Sequence, residues 1–201
     1  MKPLSSILTN NIELSMARTP LFNSGFTIVE LMITLAIAAI LAAIAAPSFT
    51  AMIQDNRLAT QVNELQASLG LARSEAIKLN ENVTTCPSSN GTACIGNWQN
   101  GWIVFVDVDA DGVVANVNDI LLVHGAITGG NTIAFNQANL IYTGTGLGRA
   151  NIASTFRFCD DRGATSARAV IVNTTGRPTL ATDTNNDGIV EDDAGNNVVC
   201  P

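Results

Sequence analysis

The feature of this 201-residue chain that most restricts its fold is an uncharged stretch near the N-terminus. No charged residue occurs from Leu31 to Gln54, and residues 31–46 are almost entirely apolar. Residues 26–47 are about long enough to cross the hydrocarbon core of a bilayer as one helix. The stretch predicts a transmembrane anchor or a cleavable secretory signal. The second alternative stays open because residues 43–45 have the A-x-A pattern that signal peptidase cleaves.

A single carboxylate, Glu30, stands directly before this apolar stretch. A charged group there is costly in lipid and usually has a specific partner, yet neither a secretory signal nor a simple anchor needs one. The run from Gly25 to Leu31, GFTIVEL, resembles the prepilin processing site of type IV pilins and type II secretion pseudopilins. The resemblance implies cleavage after Gly25 by an inner-membrane prepilin peptidase, and methylation of the new amine on Phe26.

The same resemblance gives Glu30 and Pro47 their expected roles. Glu30 becomes the fifth residue of the mature chain, and Pro47 lies where pilins often carry a helix-kinking proline. We expect the Phe26 amine of one subunit to pair with Glu30 of its neighbour. Each charge alone is costly in an apolar filament core, whereas the pair offsets both costs and fixes the axial register. Glu30 is therefore predicted to act in assembly and not as a general acid.

The predicted leader, residues 1–25, is long for this family and poor in basic residues. A start at Met16 would give a ten-residue leader that carries Arg18, which fits the usual short basic form better. We therefore expect translation to begin at Met16.

Beyond the apolar stretch the pattern becomes amphipathic. Apolar residues recur at spacings of three and four from Leu58 to Ala76, so the helix is predicted to continue through residues 48–80 with one apolar face. Short apolar runs separated by Gly, Asn and Asp follow, a pattern typical of strands. The seven predicted strands span residues 82–86, 102–108, 120–124, 132–136, 140–143, 155–159 and 167–173. The predicted fold class is α+β, with one long N-terminal helix packed on a mainly antiparallel β-sheet domain of residues 81–201.

Three segments of the strand region resemble the GspH/FimT branch of the pilin family. They are residues 100–107 (NGWIVFVD), 158–163 (FCDDRG) and 171–177 (IVNTTGR). With the N-terminal motif, the resemblance covers nearly the whole chain and implies a type IV pilin-like fold. The branch contains minor pilins that prime pilus assembly, minor pseudopilins of type II secretion and DNA-binding competence pilins.

This resemblance implies a minor type IV pilin that helps to initiate or cap pilus assembly. Its expected partners are other minor pilins, the major pilin, the prepilin peptidase, the inner-membrane assembly platform and the lipid bilayer. We expect a single-pass inner-membrane protein with its C-terminal domain in the periplasm, which later lies near the filament tip. A type II secretion pseudopilin is the first alternative and a DNA-binding competence pilin the second. No G-x-S-x-G, P-loop or paired zinc signature accompanies the lone histidine, His124, so we expect no enzyme activity.

Four cysteines follow the apolar stretch. If that stretch delivers them to an oxidising compartment, two disulfides are expected, and four cysteines allow three pairings. We favour Cys86–Cys94, which closes a short loop, and Cys159–Cys200, which would fix the C-terminus.

Two acidic runs have the spacing of a calcium loop, in which alternate carboxylates can face one hard cation. The candidate ligands are Asp107, Asp109 and Asp111 in the first run, and Asp183, Asn185 and Asp187 in the second. The twelfth position of the first run is Asn118 and not the bidentate Glu of an EF-hand. A hairpin turn also explains the first run and a solvated loop the second. Calcium is therefore only a candidate ligand, and no other cofactor is expected.

Basic residues concentrate late in a chain whose net charge is −7. Arginine can contact phosphate oxygens bidentately, and the candidate DNA-binding residues are Arg149, Arg162, Arg168 and Arg177. In DNA-binding members of the branch a G-R-x-R motif carries much of the binding. This chain has Gly176-Arg177-Pro178-Thr179 and so lacks the second arginine. Surface salt bridges are the expected role of these arginines, and DNA is the less favoured partner.

Overall fold

A computed structural model describes residues 25–149 and 153–201. The predicted leader, apart from Gly25, and the alternative start at Met16 lie outside the described residues. Contacts divide the described residues into two units, with the division between Ile44 and Ala45.

The first element is a single long helix, α1, which spans Ile28–Leu79. It ends at Asn80, which has a φ of 55°, a left-handed conformation that Asn adopts more readily than most residues. The Glu81 N–H then donates to the Ala76 carbonyl at 3.3 Å. This bond closes the last turn and satisfies one of the free carbonyls at the helix end.

Eight strands follow in the described residues, and all their pairings are antiparallel. They are β1 Val83–Pro87, β2 Trp102–Val106, β3 Ile120–His124, β4 Thr132–Ala134, β5 Leu140–Tyr142, β6 Ser154–Cys159, β7 Arg168–Val172 and β8 Pro178–Leu180. They form two four-stranded sheets with the orders β3-β2-β1-β5 and β4-β6-β7-β8.

The main core lies between the apolar stripe of α1 and side chains from both sheets. The helix contributes Leu58, Val62, Leu65, Leu69, Ala72 and Ala76, and the sheets contribute mainly Trp102, Val104, Tyr142, Phe156, Phe158 and Val170. Burial of a leucine or phenylalanine side chain stabilises the fold by about 1.5–3 kcal/mol. The indole N–H of Trp102 donates to Oγ of Ser68 at 3.0 Å, so its polar atom is also satisfied in the core.

The predicted fold class is confirmed: one long helix is packed on antiparallel strands. Each of the seven predicted strands is present, with ends that differ by at most two residues. The structure adds β8, which is short and begins with Pro178. It also distributes the strands over two sheets, because alternation of side chains indicates a face of a strand but not the neighbouring strand.

Candidate functional site

Glu30 lies in the first turn of α1, next to the residue that caps the helix. The Glu30 N–H donates to Oγ1 of Thr27 at 3.1 Å. Thr followed three residues later by Glu is the capping-box pattern, so Thr27 fixes where the helix begins. The pattern is visible in the sequence, but Thr27 was not among the predicted site residues.

The carboxylate of Glu30 has no hydrogen bond or ion pair among the described residues. It is exposed at the N-terminal end of the helix, where the helix dipole favours a negative charge. This carboxylate is therefore available to a cation from another molecule.

The apolar part of α1 is uncovered. Every residue from Gly25 to Thr50 is exposed, including large side chains such as Leu35 and Ile44. Within the described residues, α1 is the one helix long and apolar enough to cross a membrane, and none of its most apolar window is buried. A contiguous apolar surface of this size is unusual on a soluble monomer and indicates a site covered by lipid or protein. This part of α1 is therefore a candidate membrane anchor.

Pro47 lies inside α1, and the helix continues through it. Because proline has no N–H, the carbonyl of Ala43 loses its usual helical donor. Oγ1 of Thr50 donates to the Pro47 carbonyl at 2.8 Å. Pro47 thus leaves one gap in the hydrogen-bond ladder at the end of the apolar part.

Among the described residues, the first hydrogen bond and ion pair from side chains of α1 to the strand region occur just beyond, at Gln54 and Asp55. Nε2 of Gln54 donates to Oδ1 of Asp161 at 2.9 Å. Nη2 of Arg162 lies 2.8 Å from Oδ1 of Asp55 and 2.7 Å from Oδ2 of Asp160. We call the group Asp55, Asp160 and Arg162 the α1 clasp.

The clasp contains a buried carboxylate whose charge is stabilised by its partner. Burial by itself would raise the pKa of Asp160, but hydrogen bonds from Arg162 and its positive charge outweigh burial and lower that pKa below its ordinary value. The Asp160 side chain is only 3% exposed, so Arg162 satisfies a carboxylate that water barely reaches. The sequence pattern predicted a salt bridge for Arg162, with DNA as the less favoured partner, but it did not indicate Asp55 or Asp160 as the acids.

The arginines proposed for DNA have different surroundings. Arg162 is paired with Asp55 and Asp160. Nη1 of Arg149 donates to the Ala110 carbonyl. Arg168 and Arg177 are exposed, on β7 and on the turn before β8. Two of the four candidates therefore already have protein partners.

The first acidic run forms the turn that follows β2. Carboxylate oxygens of Asp107, Asp109 and Asp111 lie within 4.8 Å of one another. Asp107 is buried, and its Oδ2 accepts hydrogen bonds from Oγ1 of Thr84 at 2.6 Å and from the Gly112 N–H at 3.0 Å. The arrangement could hold a cation, but Asp107 also organises the turn without one.

The second acidic run is a loop held by its own side chains. Asp183 accepts hydrogen bonds from the N–H groups of Asn186 and Gly188 at 2.7 and 2.8 Å. Nδ2 of Asn197 donates to Asp187 at 2.6 Å, and this bond is the largest of the effects that lower the pKa of Asp187. Nδ2 of Asn185 also donates to Asp187, at 3.1 Å. The carboxylates of this run are thus engaged by neutral donors within the loop.

Both cysteine pairs lie in the strand region. The structure joins Cys86 to Cys94 with 5.5 Å between their Cα atoms, and Cys159 to Cys200 with 5.8 Å. The second bond ties the C-terminal residues to the end of β6, and Cys159 is buried there.

Two family models match the chain. The model described as "Prokaryotic N-terminal methylation motif" matches residues 22–46, and the model described as "Type II transport protein GspH" matches residues 61–176. The second match covers more than half of the chain. No curated protein sequence matches.

Chains of solved structures are similar to this chain to different degrees. The type IV minor pilin FimU of Pseudomonas aeruginosa is 24% identical, with a TM-score of 0.54, and the match covers 65% of this chain and 92% of FimU. A second crystal form of FimU is 23% identical with a TM-score of 0.51, covering 62% of this chain and 93% of FimU. The minor pseudopilin EpsH of Vibrio cholerae is 12% identical with a TM-score of 0.44, and the match covers 62% of this chain and 95% of EpsH.

The FimU match shows that the chain has a type IV pilin fold. The chain also carries the N-terminal methylation motif. The chain therefore belongs to the GspH family.

Proposed function

We propose that this chain is a minor pilin with a structural, non-catalytic role. In this proposal residues 1–25 are the leader and residues 26–47 form the membrane and assembly helix. Residues 48–80 continue the helix, and residues 81–201 form the periplasmic domain. A prepilin peptidase cleaves after Gly25 and the new Phe26 amine is methylated, which is the processing that the N-terminal methylation motif implies.

One observation carries the proposal: the apolar first part of α1 is exposed along its whole length and begins with one carboxylate that lacks a partner among the described residues. Lipid covers the apolar side chains while the protein is in the inner membrane, and neighbouring subunits cover them in a filament. Glu30 then pairs with the Phe26 amine of a neighbour, because an unpaired charge is costly in an apolar environment. The same helix thus serves as an anchor first and as a filament core later.

The proposed partners follow from this use of the helix. They are the inner-membrane assembly platform, the major pilin and other minor pilins, with which the chain would initiate or cap a pilus near its tip. The fold it shares with FimU, a type IV minor pilin, supports this choice.

Mass analysis of the mature protein from its native host tests the proposed processing. We expect a chain that begins with N-methylated Phe26, and an uncleaved chain in a strain without prepilin peptidase. A mature N-terminus just beyond residue 45 would instead identify a secretory signal and overturn the proposal. The mass of the uncleaved chain also shows whether translation begins at Met16.

A minor pseudopilin of type II secretion is the second candidate, favoured by the description of the matching family model. The physics of assembly is the same for both candidates, but the cellular result differs. Deletion of the gene should abolish surface pili if the chain is a minor pilin. Loss of protein export with normal pili would favour the pseudopilin.

DNA binding stays a less favoured hypothesis. Arg168 and Arg177 are its strongest remaining candidates, because both are exposed. Binding through arginine and phosphate should weaken steeply as salt is added. A gel-shift assay of the full-length protein in detergent, with Arg168→Ala/Arg177→Ala as the comparison, decides it. A salt-insensitive or absent shift would remove the hypothesis.

Calcium binding at the first acidic run also stays a hypothesis, supported by the short distances among Asp107, Asp109 and Asp111. A ligand at five times its dissociation constant stabilises a fold by about 1 kcal/mol. Calcium at millimolar concentration should then raise the melting temperature of the wild type but not of Asp109→Asn/Asp111→Asn. These two residues are exposed, so the double variant should keep the turn. If calcium does not raise the melting temperature of the wild type, the turn alone explains the acidic residues of the first run.

A further inference from the structure

A cavity of about 490 Å³ opens between α1 and the sheet that contains β7 and β8. Its lining comes from α1, from β7 and the turn before it, and from the end of β8 and the loop after it. That loop contributes Gly188 and Val190 to the lining but none of its carboxylates. The volume lies in the range of about 300–1,000 Å³ that is typical of small-molecule sites. We call this space the α1–β7 cavity.

Several polar groups that line the α1–β7 cavity have no partner among the described residues. The guanidinium of Arg168 makes neither a hydrogen bond nor an ion pair there, and the same holds for the side chains of Asn63, Thr165 and Ser166. Nη1 of Arg162 is also free, since Nε and Nη2 make its bonds to the clasp carboxylates. Free donors in this number are suited to a polar ligand.

The charges around the cavity balance one another. Arg162, Arg168 and Asp55 belong to the lining, and Asp160 is paired with Arg162. The Asp55 side chain is 53% exposed and uses Oδ1 for its ion pair, so Oδ2 is free among the described residues. A ligand with one positive and one negative group therefore fits better than a plain anion, which the net charge of −7 repels.

The rest of the lining is apolar. Ala59 and Val62 contribute from α1, and Leu180 and Val190 contribute from the end of β8 and the loop after it. Leu180 is 49% exposed, so apolar surface is open to solvent beside the charged groups. The cavity is thus suited to an amphipathic ligand.

The position of Asp55 along α1 indicates where such a ligand comes from. Asp55 is the first charged residue after the uncharged stretch from Leu31 to Gln54. A helix of about 24 residues is about 36 Å long. The hydrocarbon core of a bilayer is about 30 Å thick, and the bilayer with its headgroups is about 40–45 Å thick. When α1 spans a bilayer, Asp55 therefore lies at the level of the lipid headgroups.

We propose that the α1–β7 cavity binds the headgroup of a zwitterionic phospholipid of the phosphatidylethanolamine type. The proposal rests on the proposed function, since it takes α1 to span the inner membrane. A bound headgroup holds this side of the domain at the membrane surface until the subunit leaves the bilayer for a filament.

Each part of the headgroup has its own partners. The phosphate accepts hydrogen bonds from Arg168 and from the hydroxyls of Thr165 and Ser166, and bonds between guanidinium and phosphate are charge-assisted. The ammonium donates to the free Oδ2 of Asp55. A choline headgroup has no N–H to donate, and a phosphoglycerol headgroup has no cation. The apolar lining, which includes Leu180, covers the glycerol and the first carbons of the acyl chains.

Native mass spectrometry of the full-length protein tests the proposal. The wild type is placed in nanodiscs that contain equal amounts of phosphatidylethanolamine, phosphatidylcholine and phosphatidylglycerol with the same acyl chains, and is then released into mild detergent. We expect phosphatidylethanolamine to be retained at least about threefold more often than either other lipid, because it alone complements both charges of the cavity. Equal retention of the three lipids, or retention of none, would overturn the proposal.

Two variants separate the two halves of the headgroup. Arg168→Gln should reduce retention of phosphatidylethanolamine by about threefold or more, because the phosphate loses its charged donor. Asp55→Asn should keep a bound phospholipid but lose the preference for ethanolamine over choline. Arg177→Gln, which changes an exposed arginine outside the lining, is the matched control and should retain lipid as the wild type does. Arg168→Gln should melt at the wild-type temperature in lipid-free detergent, and unchanged retention by this folded variant would contradict the proposal.

Soluble phosphoethanolamine distinguishes the lipid from a free small molecule with the same headgroup. Added at millimolar concentration to the lipid complex in detergent, it should displace little lipid, because it lacks the apolar part that contacts Leu180 and Val190. If calorimetry shows that it binds the wild type while no lipid is retained, the lipid is the wrong ligand.

The outcomes also distinguish this proposal from the proposed function. If the wild type begins with N-methylated Phe26 and enters filaments but shows no lipid preference, only the cavity proposal is wrong. If the wild type is not inserted in the inner membrane, the proposed function is wrong and the cavity proposal falls with it.

Discussion

The two parts of α1 share one backbone conformation but differ in their side-chain surroundings. Residues 28–44 are all exposed, and Glu30 is their single charged residue. In residues 58–76, apolar side chains at helical spacing are buried, and charged side chains lie between them. Both parts therefore form the same kind of helix. The arrangement of their charged residues indicates that the first part needs an apolar environment and that the second has one face in the core and one face in water. The following predictions test this difference.

The largest effect should come from Glu30→Ala, which removes the one charge of the apolar part. We expect entry into filaments to fall by about tenfold or more, because a buried amine loses its partner. The melting temperature of the protein in detergent should not change, since Glu30 has no partner within the described residues. Quantitative immunoblots of sheared filaments measure the loss. Glu81→Ala, which removes a carboxylate beyond the end of α1, is the matched control, and equal losses in both variants would contradict the role of Glu30.

A matched pair of leucine truncations should separate the two parts of α1 by their effect on stability. Leu65 is completely buried and Leu35 is 61% exposed. Leu65→Ala should lower the free energy of unfolding by about 2–5 kcal/mol, because it leaves a cavity in the core. Leu35→Ala should leave it nearly unchanged. Thermal and urea unfolding of the full-length protein in detergent measures both, and a large effect of Leu35→Ala would show that the apolar part contributes to the folded domain.

The α1 clasp should give a smaller effect that depends on pH. Arg162→Ala leaves the buried Asp160 carboxylate without its cation and should cost about 1–3 kcal/mol near neutral pH. Arg168→Ala, an exposed arginine on β7, is the matched control.

The sign of the pH effect follows from the pKa of Asp160, which folding lowers below its ordinary value of 3.8. Its contribution to stability is then present above that value and is lost as pH falls through the lower pKa of the folded state. The difference between wild type and Arg162→Ala should therefore be full at about pH 5 and above and should shrink below pH 3.8. A difference that persists unchanged in acid would mean that Arg162 acts by packing alone.

Local patterns predicted much of this fold. A long charge-free run followed by an apolar stripe indicated α1 before any tertiary contact was known, and alternation indicated seven of the eight strands. β8 was not predicted, because a strand of three residues that begins with proline is too short to show alternation. Its pairing with β7 makes it a strand.

Local sequence patterns predicted less of the candidate site than of the fold. Glu30 stood out because its position before the apolar run was unusual. The α1 clasp joins Asp55 to residues more than a hundred positions later, and no local pattern shows that approach. The acidic turn illustrates the same limit, since only the structure shows that Asp107 is buried against Thr84.

The clasp also has a mechanical consequence for a subunit that works in a filament. Tension on the apolar part of α1 meets polar contacts with the strand region at Gln54 and Asp55, whose side chains bond to Asp161 and Arg162. Behind them, the buried stripe that begins at Leu58 resists sliding in shear, so many contacts share the load. The domain should therefore withstand a pull along its helix better than a force that peels the helix sideways, one contact at a time.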